Sequence, residues 1–312
     1  MNALITGGAG FIGSNLTARL LADGHHVALL DNFSSGYRSN LTALAGARAI
    51  EGDIRDAAAV AKAMEHAEVV FHLAASVGNK RSIDDPLRDA EVNVMGTLTV
   101  LQAARRAGVR KFVASSSAGI FGELKTLPIR EDHAIEPDSP YGASKLCAEK
   151  EILAFGKLFG IETVCLRYFN VYGPNQRFDA YGNVIPIFVF QMLRGERLTI
   201  FGDGWQTRDF VNVRDVVEAN LRAARAPGVR GAFNIGSGSR IAINDLVEKL
   251  ASASGIAPQI EHAPPRPGDV RDSLADISAA RAAFAFQPAV SLDEGLAEYT
   301  RWARQEQLLR AA

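Results

Sequence analysis

"NALITGGAGFIGS", residues 2 to 14, passes from a short strand-like run through a glycine-rich turn into a helical pattern. Gly7, Gly10 and Gly13 stand where the strand turns into the helix. Glycine permits the tight turn, and it lets backbone amides at the positive end of the helix approach a pyrophosphate. The spacing is G-x-x-G-x-x-G, one residue away from the more familiar G-x-G-x-x-G. Glycines also serve turns that bind nothing, so the triplet takes its meaning from its place directly after an N-terminal strand. There it points to a dinucleotide.

Outward from this turn, strand-like runs continue: "HVALLD" (26 to 31), "RAIEGD" (48 to 53), "EVVFHLA" (68 to 74), "KFVASSS" (111 to 117) and "TVCLRYF" (163 to 169). Helical patterns separate them, at 13 to 23, 57 to 65, 90 to 107 and 141 to 159. Strands joined through helices imply crossovers and a parallel sheet, so the fold class is a doubly wound α/β, or Rossmann, arrangement. Regularity is lost after about residue 170: "VYGPNQRFDAYGN" (171 to 183) reads as a long loop, followed by a helix near 184 to 194 and a short strand "LTIFG" (198 to 202). "RDFVNV" and "AFNIG" read as strands returning to the sheet. The expectation is a dinucleotide-binding domain over 1 to 169, joined by returning strands in 206 to 237, with a smaller interwoven α/β lobe from 170 to 205 and 238 to 312. The crevice between them is the expected ligand site.

With 312 residues, 47% hydrophobic and 22% charged, the chain has ample material for such a core. Its net charge of -1, without a basic run, gives no reason to expect nucleic acid or an anionic membrane as partner. No leader-type segment precedes the first strand and no apolar stretch reaches the length of a membrane span, so a cytoplasmic location is expected. Cys147 and Cys165 lack metal-type spacing; buried reduced thiols are expected, and no metal site.

Three groups of residues carry chemistry. Asp31 ends the second strand, where a carboxylate can accept hydrogen bonds from an adenosine ribose and repel a 2′-phosphate, which favours NAD over NADP; a carboxylate there also suits a loop cap. Asp53 ends the third strand, with adenine contact and helix capping equally open. "SPYGASK" (139 to 145) sets Tyr141 and Lys145 four apart on one helix face. Free tyrosine has a pKa of about 10, so a tyrosine base must be shifted downward, and a neighbouring ammonium does that. Ser115, Ser116 and Ser117 end the fifth strand, where ligand-facing residues collect.

The glycine turn, a serine and Tyr-x-x-x-Lys in this order resemble the extended short-chain dehydrogenase/reductase family, and within it the nucleotide-sugar 4-epimerases. The resemblance runs on through "DNFSSG", "GDIRD", "NVMGT", "RYFNVYGP", "FGDGWQTRDFVNVRD", "NIGSG" and "RPGDV". It implies Ser117, Tyr141 and Lys145 as catalytic, and NAD as cofactor, held by Gly7, Gly10, Phe11, Ile12, Gly13, Asp31, Asn32, Asp53, Ile54, Leu73, Ala74, Ala75, Asn93, Tyr168 and the Tyr–Lys pair. It implies a UDP-sugar substrate, with nucleotide and diphosphate contacts at Asn170, Asn183, Val184, Thr199, Phe201, Arg208, Arg266 and Asp269. Ser273 stands where galactose-specific relatives carry a tyrosine, which implies room for a 2-acetamido group. Asn79, Lys80, Arg81 and Arg177 are candidates for the sugar end, Arg177 for a 6-carboxylate.

Dehydratases and decarboxylases of the family carry acidic residues directly after the catalytic hydroxyl, but Ala118 and Gly119 follow Ser117, and neither can act as acid or base. A non-catalytic NAD-binding sensor would share the fold, yet Tyr141 and Lys145 are both kept. The helices at 90 to 107 and 141 to 159 are apolar over more than one stripe, through Val94, Leu98, Leu101, Ile152, Phe155 and Phe159. Since relatives pair these helices across a two-fold axis, a homodimer is implied.

Overall fold

The computed structural model describes residues 1–178, 182–265 and 270–311. Its strands, in chain order, are β1 (Asn2–Thr6), β2 (His26–Asp31), β3 (Arg48–Glu51), β4 (Val69–His72), β5 (Lys111–Ser117), β6 (Glu162–Tyr168), β7 (Asn170–Tyr172), β8 (Leu198–Phe201), β9 (Thr207–Arg208), β10 (Phe210–Asn212), β11 (Gly231–Ile235), β12 (Ile241–Ala242) and β13 (Ile260–Ala263). Seven of them make one parallel sheet in the order β11-β6-β5-β4-β1-β2-β3.

The two-residue period of each strand sends its apolar residues to opposite faces. Ala3, Ile5, Val69, Phe71, Val113, Val164 and Leu166 pack on one side, against the helices Phe11–Ala22 and Val213–Arg225. Leu4, Val70, Phe112 and Cys165 pack on the other, against Ala57–Met64, Thr97–Arg106 and Pro140–Phe159. Both faces are therefore covered, as a parallel sheet requires. The strand order reverses between β1 and β4, and their carboxyl ends open the crevice where such sheets bind ligands.

A third apolar cluster lies outside the sheet. Ile185, Phe188 and Val189 of helix Val184–Arg194 meet Leu198, Ile200, Phe210, and residues of helices Ile243–Ser254 and Leu292–Ala311. Of the two strands expected to return to the sheet, "AFNIG" does so as β11 beside β6, but "RDFVNV" does not: Phe210–Asn212 pairs with β7 in a separate two-stranded ladder. The ladder divides at residue 169, where Phe169 N–H bonds Ile235 O at 3.0 Å while Asn170 N–H bonds Asp209 O at 3.1 Å. Both cysteines are free, and Cys165 is buried as expected; Cys147 is exposed, because it falls on the outer side of a helix whose inner stripe is carried by Ser144, Ala148 and Ile152. No helix among the described residues is long and apolar enough to cross a membrane.

Candidate active site

At the end of β1 two glycines are sterically required. Gly7 has φ +70°, and a methyl on it would lie 2.8 Å from Ala74 N. A methyl on Gly13 would lie 2.1 Å from the Gly7 carbonyl oxygen. Gly10 caps the helix Phe11–Ala22 in extended conformation and with no side-chain bond, so the first-turn amides keep their hydrogen-bonding capacity. Leu73 and Ala74 come alongside from β4, through Leu73 N–H to Thr6 O at 3.1 Å and Ala74 N–H to Thr6 Oγ1 at 3.3 Å. This cradle, open only because Cβ atoms are missing, fits a dinucleotide pyrophosphate.

Asp31 is buried at the end of β2 and accepts Ala9 N–H at 2.9 Å and Phe33 N–H at 2.8 Å. Burial pushes its carboxyl above the usual range, against those two bonds. Each oxygen keeps a lone pair for a ribose hydroxyl. Asp53 does not cap a helix; Asp56 does, accepting from Ala58 and Ala59 N–H. Asp53 instead takes the Arg55 fork at 2.9 Å on both oxygens and the Asn32 amide at 2.8 Å, and the Arg55 bonds hold its carboxyl far below the usual range. Arg55 was foreseen in no role, though it stands two residues along in the same motif. Ile54 is buried against Gly96, where a methyl would lie 2.5 Å from Ile54 Cδ1.

Two further cofactor expectations sit in networks of their own. Asn93 is buried and clasps Ser76, donating to its carbonyl at 3.0 Å and accepting its N–H at 2.8 Å. The Tyr168 hydroxyl is taken up by the side-chain amide of Asn220, 2.8 Å from its nitrogen, and burial pushes this phenol far up.

Across the crevice, Ser139 caps the helix Pro140–Phe159 by accepting Gly142 N–H at 3.1 Å, and Pro140 occupies its first turn. Tyr141 and Lys145 therefore face the carboxyl end of β5. The Tyr141 phenol lies beside Ser117, whose Oγ accepts Gly119 N–H at 3.1 Å. Gly119 lies beside both, and a methyl there would stand 3.3 Å from Ser117 Oγ and 3.7 Å from Tyr141 Cε1. Lys145 is buried and donates to the Ser115 carbonyl at 2.5 Å.

The expected downward shift of Tyr141 is not what the protein alone provides. Burial raises its pKa, the Ser117 hydrogen bond lowers it in part, and the charge of Asp89 raises it further. Burial also pulls Lys145 down, to about 8, with Asp89 and Glu149 among the groups opposing it. Lys145 spends its shortest bond on Ser115, so its ammonium is held in place by the strand rather than by the phenol.

In the second lobe the expected substrate residues are dispersed along separate loops. The Asn170 amide donates to Asp209 O at 3.1 Å and the Asn183 amide to Val171 O at 3.3 Å, just before Val184 opens its helix. Thr199 donates to Glu261 Oε1 at 2.7 Å, and the Phe201 carbonyl accepts the Gln206 amide at 2.8 Å. Arg208 borders a cleft of about 400 Å³ with Ser237, Ser239, Arg240 and Lys249. Ser273 is buried, 8% exposed. Arg266 and Asp269 lie outside the described residues.

Other parts of this lobe were not foreseen. Asp209 is fully buried and accepts from Ser237 N–H, Ser237 Oγ, Gly238 N–H and Ala275 N–H, so one carboxylate ties three loops. A charged residue inside a strand-like run was the available signal. A cleft of about 690 Å³ opens between residues 123 to 127 and 270 to 272, neighbours in sequence of Ser117 and of Ser273. Arg177 pairs with Glu306 at 2.5 Å, donates to Ser39 Oγ at 3.1 Å and lies over the Tyr37 ring.

The NAD dependent epimerase/dehydratase family matches residues 3–236. The chain belongs to this family. It is 42% identical to a UDP-glucose 4-epimerase of Mycolicibacterium smegmatis, over 98% of this chain and 99% of that one. Among solved structures, the UDP-glucose 4-epimerase of Thermotoga maritima, with UDP-glucose, superposes with a TM-score of 0.94 at 39% identity, covering 98% and 100% of the two chains. The UDP-N-acetylglucosamine 4-epimerase of Methanobrevibacter ruminantium M1, in complex with UDP-N-acetylmuramic acid, gives 0.94 at 35% identity, covering 98% of both. The protein is thus an NAD-dependent nucleotide-sugar 4-epimerase.

Proposed function

We propose that this epimerase inverts C4 of a UDP-linked 2-acetamido hexose through a 4-keto intermediate. The observation that carries the chemistry is the juxtaposition of Ser117 and Tyr141 about Gly119, beside a buried Lys145, at the carboxyl edge of the sheet and across the crevice from the glycine cradle. In this reading Tyr141 takes the proton of the sugar's 4-hydroxyl and gives it back. Ser117 holds that hydroxyl, donating and accepting as the proton moves. Lys145, fixed by Ser115, supplies positive charge to the phenolate, and Asp31 with the Gly7–Gly13 cradle retains the cofactor. Bound NAD supplies the hydride acceptor at C4, and a positive ring that offsets the burial of the phenolate. Ala118 and Gly119 offer no second base, which favours epimerisation over dehydration or decarboxylation.

The sugar assignment rests on Ser273, whose small side chain leaves most of a phenol ring's volume for an N-acetyl group. The likeness to the Methanobrevibacter ruminantium M1 enzyme supports it. A uronate loses its support because Arg177 is engaged with Glu306. The nucleotide is assigned to the lobe formed by 170 to 205 and 238 to 312, with Arg208 on the diphosphate and Thr199 and Phe201 about the uracil; the cofactor is assigned to 1 to 169. Homodimerisation belongs to the same reading, favoured by the exposed apolar side chains Met95, Leu158 and Phe159 on the two helical segments concerned. Light scattering that finds only a 33.5 kDa particle at micromolar concentration rejects the dimer.

The deciding experiment gives the purified protein a panel of UDP-sugars with and without 2-acetamido and 6-carboxylate groups, beside Tyr141→Phe. The parent is expected to turn over the acetamido sugars. The variant should keep its fold and NAD and lose activity on the order of a hundredfold or more. Near-parent turnover by Tyr141→Phe defeats the mechanism; turnover restricted to 2-hydroxy sugars defeats the sugar assignment.

A further inference from the structure

One buried charge beside the catalytic helix has no part in the scheme above. Asp89, in the short helix Pro86–Ala90, is 1% exposed. It accepts the Ser144 hydroxyl at 2.5 Å and the Asn93 amide at 3.1 Å, and among the described residues no cation pairs with it. Ser144 stands between Tyr141 and Lys145, and its hydroxyl lies 3.1 Å from the Tyr141 carbonyl. Asn93 sits in a π-helical turn, Glu91–Gly96, of a kind that recurs at functional sites. It donates to Ser144 Oγ at 3.0 Å and holds Ser76, directly after Leu73, Ala74 and Ala75. One carboxylate thus links the catalytic turn to the loop beside the cofactor cradle.

Packing alone does not call for a charge here. An asparagine of the same shape would accept from Asn93 with its oxygen and donate to Ser144 with its nitrogen. A carboxylate without a counter-ion is the costlier choice in a dry interior. What it adds is a negative charge close to two groups whose ionisation the reaction uses.

We propose that Asp89 is a positioning residue of the epimerase, a fixed buried anion that sets the pH window of the Tyr141–Lys145 pair and, through Ser144 and Asn93, holds their turn against the cofactor loop. The proposal rests on the acid–base roles given above to Tyr141 and Lys145. The surrounding charges leave Asp89 as the unbalanced one. On helix Pro140–Phe159, Glu149 is matched by the buried Arg167 at 2.7 Å. From β4 comes His72, kept neutral by burial; from β6 comes Cys165, whose thiol burial pushes far up; β5 contributes only serine hydroxyls and the Ser115 carbonyl. On helix Asn79–Asp84, Lys80 pairs with Asp84 at 2.8 Å and Arg81 has a partner of its own. On helix Thr97–Arg106, Arg105 lies over Phe159, and Arg106 follows it at the helix end; Glu91 is matched by Arg55 at 2.9 Å.

The sign of the effect is specific. A nearby anion raises the pKa of a phenol and of an ammonium alike, and Asp89 acts in that direction on both Tyr141 and Lys145. Removing it lowers both, so the acid limb, where Tyr141 gains its proton, and the alkaline limb, where Lys145 loses its own, move to lower pH together. The two limbs report the pair as a coupled unit.

The test is kcat/KM against pH for the NAD-loaded parent, Asp89→Asn, Asp89→Ser and Ser144→Ala. Both charge-removing variants should slide the whole bell to lower pH, by about one unit. Ser144→Ala loosens the turn and leaves the anion in place, so it should lose rate with its limbs where the parent has them. If Asp89→Asn does not fold, Asp89→Ser, which leaves room for a water, carries the same measurement. Limbs that stay put in the charge-removing variants, whatever their rate, overturn the proposal and leave the mechanism standing. Activity retained by Tyr141→Phe would instead remove the reading on which the proposal rests.

Discussion

Around Gly7 and Gly13 the proposed cofactor site is made of backbone; in the proposed substrate lobe it is made of side chains. The cradle owes its shape to missing Cβ atoms, and Asp31 is fixed by two backbone amides. The second lobe offers Thr199 to Glu261, Arg271 to Asp203 at 2.7 Å and Arg240 to Asp272 at 3.3 Å, pairs on the surface that can exchange partners. The difference suits the two ligands. A cofactor regenerated in every turnover needs one rigid seat, whereas a sugar that must present both faces needs a firm nucleotide anchor and a loose pocket.

The comparison breaks most easily at Gly13, where the largest effect is expected. In Gly13→Ala the new methyl meets the Gly7 carbonyl, and neither is a flexible side-chain end. Overfilling of this kind costs roughly 1 to 3 kcal/mol or more. The variant should be purified without bound NAD, by its absorbance ratio, and with Tm lowered by about 2 °C or more. Parent-like NAD content would mean that the cradle is not built as a backbone template.

What the sequence told in advance follows the same division. The sheet was legible because each strand carries its own alternation, as Leu4 and Ile5 do on opposite faces. Pairing is a long-range choice, so Phe210–Asn212 was read into the wrong ladder. Tyr141, Lys145 and Ser117 were legible as a motif, but not the direction in which burial drives the phenol, which depends on everything packed around it. The pairing of Arg177 was not legible, because its partner, Glu306, lies in the last helix, far along the chain. Asp89 gave no signal at all; a polar residue in a five-residue helix reads as surface until Ser144 and Asn93 close over it.

Ser273→Tyr sharpens the comparison from the other side. A phenol in a pocket lined by side chains should exclude an N-acetyl group and spare a hydroxyl. Catalytic efficiency on a 2-acetamido substrate should fall at least about tenfold, the lower end of an overpacking cost, with the 2-hydroxy counterpart and the NAD content little changed. Equal losses on both sugars would show that Ser273 does not bound the pocket.

The smallest effect concerns stability, and it is confined to the cradle side. His72 ends β4 and is 3% exposed, between Thr6 Oγ1 at 2.8 Å from Nδ1 and Thr97 Oγ1 at 2.9 Å from Nε2. Thr97 gives its own proton to Asn93 O at 2.6 Å, so it must accept from Nε2–H, and Nδ1 must accept the Thr6 proton. A second proton on the ring would take away the acceptor of the Thr6 hydroxyl and bury a charge. Burial, with a smaller part from Lys145, accordingly lowers the His72 pKa to about 3. The unfolded value is about 6.5, so the contribution is complete above that pH and is lost as pH falls from there toward 3. His72→Gln cannot titrate, and the carboxylates common to both proteins cancel in the difference. Urea unfolding at pH 7, 6 and 5 should therefore show the parent's stability advantage shrinking on acidification, with a slope approaching about 1.4 kcal/mol per pH unit at the acid end. Added salt, which screens surface pairs such as Arg271–Asp203, should leave that slope unchanged, because the ring is out of reach of the solvent. An advantage that stays constant from pH 7 to pH 5 would mean that His72 is accommodated in its charged form and that the cradle is less rigid than its glycines imply.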